Sequence, residues 1–365
     1  MTVTMGLIAD PGLPSELTRD LAGELPEALK SNLGEGDWEV SFRCEALSLD
    51  DHGHIPLGEI AERERRRDHW DLVVCVTDLP RCAGGSAVVA DISTTHRAAL
   101  ASLPALAGLS VRRRLLDAVV RLAAELRQEA SPSPRMRRRG LIAPVKMTGN
   151  AGKDVDASLV LVGPRGWARL LFGMVRDNRP WRMVPSLSRA LAASAASAAF
   201  GVFYSSIWAM ADFLSAGRLA LITFFAIAAM VVWLIAYNDL WERATGRTPR
   251  AQAVLYNAAT VGTVFLGVAC IYAVLLVVTT LAALAVISAP YLAKSLGHTA
   301  DFGNYLKLAW LSASLGTVAG ALGSSFESEE AVQQATYSRR ERERRARTRE
   351  AEQREQEEAA RDRDG

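Results

Sequence analysis

One stretch of this chain constrains its fold more than any other. From Ala251 to Ala293 no charged residue and no histidine occurs in 43 positions. As a helix rising 1.5 Å per residue, that stretch extends about 65 Å, roughly twice the 30 Å hydrocarbon core of a bilayer. A water-soluble domain has no core deep enough to hide it, so the chain is expected to enter a membrane.

The surrounding residues set the number of crossings. Apolar runs of spanning length fall at 191–210, 219–237, 255–280 and 305–325, and Leu187 to Ser325 holds only 11 charged residues in 139 positions. Residues 1–182 are different, with 25 basic and 24 acidic side chains. The whole-chain average of 50% hydrophobic and 22% charged residues therefore mixes two unlike parts. A secreted disulfide scaffold and a disordered chain are both excluded.

Arginine placement orients the spans. Arg165, Arg169, Arg176, Arg179, Arg182 and Arg189 precede the first run, Arg243, Arg247 and Arg250 follow the second, and seven arginines from Arg339 to Arg349 follow the last. The links after the first and third runs carry only Arg218, and Lys294 with Lys307. Four spans put every basic-rich flank on one side, as the positive-inside rule demands, and five would translocate the arginine-rich tail. The expectation is a four-helix membrane domain over 187–326 with both termini cytoplasmic. The surplus of the third run then extends beyond the bilayer or lies along it near Pro290. The first twenty residues lack a basic region followed by an apolar one, so no signal peptide is expected. Five lysines against 37 arginines suggest a GC-rich bacterial source, hence the inner membrane.

No ionisable residue lies near the centre of any run, which disfavours an ion-coupled transporter. Ser312, Gly316 and Gly320 repeat at four-residue spacing, as do Ala192 with Ala196 and Ser194 with Ala198. Such faces let helices approach closely, within the bundle or between copies in a homo-oligomer. Between the two parts, residues 164–182 form a basic amphipathic segment. Trp167, Leu170, Leu171, Met174 and Val175 fall on one side and Arg165, Arg169 and Arg176 on the other. With Trp181 it is expected to lie against anionic lipid headgroups, the alternative being a helix packed on the soluble domain.

Residues 1–163 read as an α/β domain with a mostly parallel sheet. Strands are expected at 3–9, 38–44, 71–77, 87–92 and 157–162 from their short β-branched runs. Helices are expected at 15–30, kinked or split by Pro26, at 58–67 with a solvated face, and at 110–127 with Ser110 as N-cap. The SPSPRMRRR segment at 131–139 reads as a flexible loop, and no nucleic-acid partner is expected from it.

In open α/β sheets ligands bind outside the carboxyl ends of strands. Asp10, Asp78 and Asp91, with Thr95 and His96 just beyond, are the candidate ligand-binding residues, since clustered carboxylates hold divalent cations and a histidine exchanges protons. The competing account is that aspartate before proline and serine or threonine after a strand are turn and cap residues. GNAGKD at 149–154 departs from the phosphate-loop pattern at two places, and His52 with His54 lacks further ligands. The cysteines Cys44, Cys75, Cys82 and Cys270 form no C-x-x-C pair, so neither metal nor disulfide is expected. No cofactor is identified, and catalysis is left open. The tail at 327–365 mixes ten arginines and nine acidic residues from Arg339 onward and reads as a solvated charged helix.

Taken together, IADPGLP, WDLVVCVTDLP, VVADISTTH, RLLFGMVRDNRPWR and LAWLSASLGTVAGALGSSFES resemble a group of uncharacterised bacterial multi-pass membrane proteins. The resemblance implies an N-terminal cytoplasmic domain before the spans. Some members carry the label methylenetetrahydrofolate dehydrogenase, which these residues do not support. That enzyme family uses a lysine in a tyrosine-x-x-x-lysine segment, and no tyrosine precedes Tyr204 here.

Overall fold

The computed structural model describes residues 2–34, 37–48, 55–83, 86–108, 110–127, 145–152, 155–161, 163–242 and 250–326, with Val332, Thr336 and Tyr337. His52 and His54, the 131–139 segment, the end of GNAGKD and nearly all of the 327–365 tail lie outside the described residues. The chain divides into two units, one over residues 1–177 and one made of 178–243 and 256–337, with two further segments assigned to the first.

The first unit is an α/β sheet domain. Its strands are β1 (Val3–Ala9), β2 (Trp38–Cys44), β3 (Leu72–Thr77), β4 (Arg81–Ala83), β5 (Ser86–Ser93), β6 (Ala98–Ser102), β7 (Val145–Gly152) and β8 (Val155–Leu161). They form one sheet in the order β2-β1-β3-β6-β5-β8-β7, with β4 on β5. The expectation of a mostly parallel sheet is corrected here: the sheet is mixed. β1 pairs in parallel with β2 and β3, and β3 with β6. Every pairing of β4, β5, β7 and β8 is antiparallel. The reason is connection length. A parallel neighbour needs a crossover of a dozen or more residues, which the chain has between β1, β2 and β3, whereas β5 and β6 are joined by four residues and must form a hairpin.

The helices of this unit are α1 (Leu13–Ala22), α2 (Leu25–Leu33), α3 (Leu57–Asp68), α4 (Val111–Leu126) and α5 (Pro164–Asp177). Pro26 lies in the first turn of α2, where a missing N–H costs nothing, and so splits the expected 15–30 helix in two. On α4, Leu115, Ala118, Val119, Leu122 and Leu126 are buried along one stripe. Each fully buried leucine contributes roughly 1.5–3 kcal/mol, enough to hold a helix that begins with three arginines. α3 differs from its expected solvated face. Leu57, Ile60, Ala61 and Glu64 make a buried stripe against the sheet, and Glu64 reaches its position by pairing with Arg43 and Arg63.

The second unit is helical: α6 (Met183–Ser186), α7 (Ser188–Phe203), α8 (Ser205–Phe213), α9 (Ala216–Tyr237), α10 (Arg250–Val286, whose first turns belong to the other unit), α11 (Ala289–Leu296) and α12 (Phe302–Gly323). Among the described residues three helices, α9, α10 and α12, are long and apolar enough to cross a membrane. The 191–210 run is interrupted. α7 stops at Phe203, Tyr204 adopts an extended conformation, and α8 starts at Ser205. At 16 residues α7 is about 24 Å long, short of one crossing by itself. A fourth crossing counts only when α7 is joined to the bent helical stretch before it.

Large apolar side chains cover the outside of this unit, among them Phe213, Phe224, Phe225, Val232, Val277 and Leu281. In water such a surface would be an aggregation hazard, and in lipid it is the expected face. Inside, α7 and α12 meet through small residues. A Cβ on Gly316 would stand 2.5 Å from the Ser194 carbonyl oxygen, one on Gly320 2.0 Å from Ser194 Oγ, and Gly201 faces Ser312. Thr223 of α9 ties the bundle together, its hydroxyl lying 3.2 Å from Tyr272 Oη on α10 and 3.0 Å from Ser314 Oγ on α12. Trp310 Nε1 donates to the same hydroxyl at 2.7 Å.

Candidate functional site

Asp10 and Asp78 stand together at the carboxyl ends of β1 and β3, which are neighbours through Ala9 and Val76. From β1 the chain goes to β2 on one side, and from β2 it returns to β3 on the other. The gap between β1 and β3 is therefore the topological switch point, where ligands of open α/β sheets bind. Asp10 is fully buried and Asp78 is 8% exposed. The Asp10 carboxylate accepts from Leu47 N at 2.9 Å, and its carbonyl accepts from Ser15 N. Between them Gly12, at φ 109°, turns the strand abruptly into α1. One residue beneath, Thr77 Oγ1 accepts from Leu79 N and Ser102 Oγ donates to Leu79 O, so the loop carrying Asp78 is fastened at both ends. Cys75 lies deeper, and burial, reinforced by the negative charge of Asp10, pushes its thiol well above the ordinary range. It is a packing residue and not a nucleophile.

The other sequence candidates do not join this pair. Asp91 sits within β5 and is 3% exposed at its side chain. It faces Arg81, Nε to Oδ2 2.6 Å, and accepts from Ser158 Oγ at 2.5 Å. The Arg81 contact is an ion pair without hydrogen-bond alignment. Thr95 and His96 lie in the β5–β6 turn. Because β5 runs antiparallel to β6, and β6 parallel to β3, that turn is at the opposite end of the sheet from Asp10 and Asp78. Its organiser is Asp156, whose Oδ2 accepts from Thr94 N and Oγ1, both at 2.7 Å, and from Thr95 N at 3.1 Å. These bonds, led by the Thr94 hydroxyl, hold the Asp156 carboxyl below its ordinary range. His96 lends its carbonyl to Arg65, and its Nδ1 is 3.9 Å from Glu62. Sequence order placed these residues after one strand and could not show which end of the sheet that strand reaches.

The amphipathic segment divides at Asn178. α5 packs Leu170, Met174 and Val175 into the first unit, and Gly173 lies on the Pro104 carbonyl so closely that a Cβ would come within 2.0 Å of it. Arg169 is half-buried, its Nε donating to Ala107 O at 2.9 Å. Arg176 pairs with Asp177 at 2.6 Å, while Arg165 and, in the second unit, Trp181 are exposed. Trp167 is half-buried.

Sequence reasoning passed over two polar groupings. In the second unit Asp212, in the last turn of α8, receives His298 Nε2 at 2.8 Å and Asn304 Nδ2 at 2.8 Å, with Lys307 Nζ 3.9 Å away. The only signal was the isolation of these charges between apolar runs. In the first unit Arg114 and Arg169 converge on a single backbone oxygen, that of Ala107. The VRRR start of α4 was its trace, since basic residues oppose the positive end of a helix. Among the described residues no three His, Cys, Asp or Glu side chains converge as a metal-binding group. Comparison with known proteins finds no matching family model, no matching curated protein and no matching solved structure.

Proposed function

We propose that this chain is a four-span protein of the bacterial inner membrane, whose cytoplasmic α/β domain binds a small polar ligand or a partner at the β1 and β3 carboxyl ends. The observation that carries the reading is that Asp10 and Asp78, both buried, follow neighbouring parallel strands at the switch point of the sheet. Two carboxylates kept out of bulk water beside a sharp strand-to-helix turn form a polar recognition point in an otherwise apolar interior. The neighbouring Thr77 and Ser102 hydroxyls are engaged with the Leu79 backbone. The orientation rests on the arginine asymmetry of the links, together with anionic lipid as the surface met by Arg165 and Trp181.

The test is thermal unfolding of the full-length protein in neutral detergent against a panel of nucleotides, divalent cations and folates. A compound that raises the midpoint of the wild type and not of Asp78→Asn supports the site. A panel that leaves the wild type unmoved, or a shift that survives in Asp78→Asn, overturns it.

A further inference from the structure

The two guanidinium groups at Ala107 lack what such groups ordinarily have. Arg114 Nη1 and Arg169 Nε donate to the same carbonyl oxygen, so the two nitrogens stand within about 6 Å of each other. Among the described residues neither side chain has a carboxylate partner at ion-pair distance; Arg112, one turn-position away, is by contrast paired with Glu24 at 2.6 Å. Arg169 Nη2 is buried and has no hydrogen-bond partner among the described residues. Burial first, and the neighbouring Arg114 charge second, push the Arg169 guanidinium down to about 10.

The backbone is shaped to permit this crowding. Gly108 has φ 151°, and a Cβ there would lie 1.9 Å from Arg114 Nη1. Only glycine lets the Arg114 fork lie across the chain. Both arginines are half-buried, so each side chain keeps contact with solvent even though Arg169 Nη2 is itself buried. Two planar forks sharing one neutral acceptor, held against their mutual repulsion, form a receptor for a tetrahedral oxyanion, which accepts from both at once.

We propose that Arg114 and Arg169 bind a phosphate group, supplied either by a lipid headgroup or by a free phosphate compound. Arg169 belongs to α5, the element that leads directly into the membrane unit in sequence, which is why both sources are chemically open. The proposal is independent of the Asp10 and Asp78 reading and uses different variants.

The experiment uses the full-length protein in neutral detergent. In one arm sodium phosphate is titrated against sodium chloride at equal ionic strength; in the other, short-chain phosphatidylglycerol is titrated against phosphatidylcholine. The thermal midpoint and the heat of binding are read for wild type, Arg114→Gln, Arg169→Gln and Arg112→Gln. The expected result is stabilisation of the wild type and of Arg112→Gln, with affinity at least about tenfold weaker in the other two variants, the usual worth of a charge-assisted hydrogen bond. A response to inorganic phosphate identifies a free-phosphate source, and a response to phosphatidylglycerol alone identifies the lipid. The proposal is overturned if neither arm stabilises the wild type, or if Arg114→Gln and Arg169→Gln respond as the wild type does. Each single variant leaves one donor on the Ala107 carbonyl. Should Arg169→Gln fail to fold, Arg114→Gln decides.

Discussion

Arg81 and Asp91 form an ion pair inside the sheet, 2.6 Å from Nε to Oδ2, with the aspartate side chain 3% exposed and the arginine 22%. Asp91 is thereby a structural residue. Removing one partner of a buried pair strands the other charge, at a cost of about 3–5 kcal/mol. Asp91→Ala is therefore expected to lower the stability of the sheet domain by that order, and Ser158→Ala by about 1 kcal/mol. Chemical denaturation of the full-length protein reads both. An Asp91→Ala protein as stable as the wild type would show that the pair contributes nothing.

The contact between α7 and α12 depends on the absence of side chains. Gly316→Val and Gly320→Val push a branched side chain into the backbone or hydroxyl of Ser194 and are expected to cost about 1–3 kcal/mol each. Gly217, near the start of α9, has nothing within 4 Å of its added Cβ, so Gly217→Ala serves as the matched control and is expected to be neutral. Tryptophan fluorescence during heating in detergent separates the two classes. Equal midpoints for all three variants would mean that the helices are not in close contact.

His298 and Asp212 make a pH-dependent clasp. Both ring nitrogens face pure acceptors, Asp212 Oδ2 at 2.8 Å and Thr299 O at 2.9 Å, so both bonds form only when the imidazole carries two protons. The hydrogen bond to Asp212, followed by that to Thr299, raises the His298 pKa above its ordinary 6.5, with Asp301 adding to it. The bond from His298 lowers Asp212 below its ordinary 3.8, with Lys307 and Asn304 assisting. The sign follows from linkage. The His298 contribution is fully present below 6.5 and disappears as pH rises through the raised value; the Asp212 contribution is present above 3.8 and disappears as pH falls through the lowered one. The midpoint difference between wild type and His298→Gln is expected to be largest in mildly acid buffer and to shrink toward alkaline pH. A difference that does not change with pH removes the clasp.

Topology is open to a direct labelling test. With Cys44, Cys75, Cys82 and Cys270 replaced by alanine, a cysteine at Gly217 is expected to react with an impermeant maleimide in intact cells. One at Arg182 is expected to react only after lysis. The reverse pattern, or equal labelling of both, would overturn the four-span arrangement.

How much of this was legible beforehand varied with the physics involved. The apolar runs that became α9, α10 and α12 were plain, because length and lack of charge are properties of a segment taken alone. The Tyr204 break was not, since no proline marks it, Gly201 lies inside the helix three residues earlier, and the run reads as continuous. β6, with the sequence AALAS, was missed because alanine and serine carry no β-branched signal; its place is conferred by β3 and β5 on either side. Glu64 looked like one more charge on a polar helix, and only tertiary pairing with Arg43 made it an interior residue. Asp10 and Asp78 come to the same end of the sheet because each follows a parallel strand. Asp91, Thr95 and His96 were grouped with them by an assumption about strand direction that the short β5–β6 turn breaks. Arg114 and Arg169 are 55 positions apart in the sequence, and nothing local links them.

The mixed sheet has a consequence for the order in which the domain assembles. β6 is the seam, parallel to β3 on one side and antiparallel to β5 on the other. A hairpin closed by four residues forms in about 1–10 μs, whereas the parallel pairings of β1 with β2 and β3 must wait for whole helices to be laid across the sheet. The β5–β6 ribbon is thus expected to exist first and to serve as the template that recruits β3, and through it β1 and β2. Pulsed hydrogen exchange during refolding would see the amides of β5 and β6 protected ahead of those between β1 and β2. The β1 and β3 carboxyl ends, where Asp10 and Asp78 lie, would then be the last part of the domain to form.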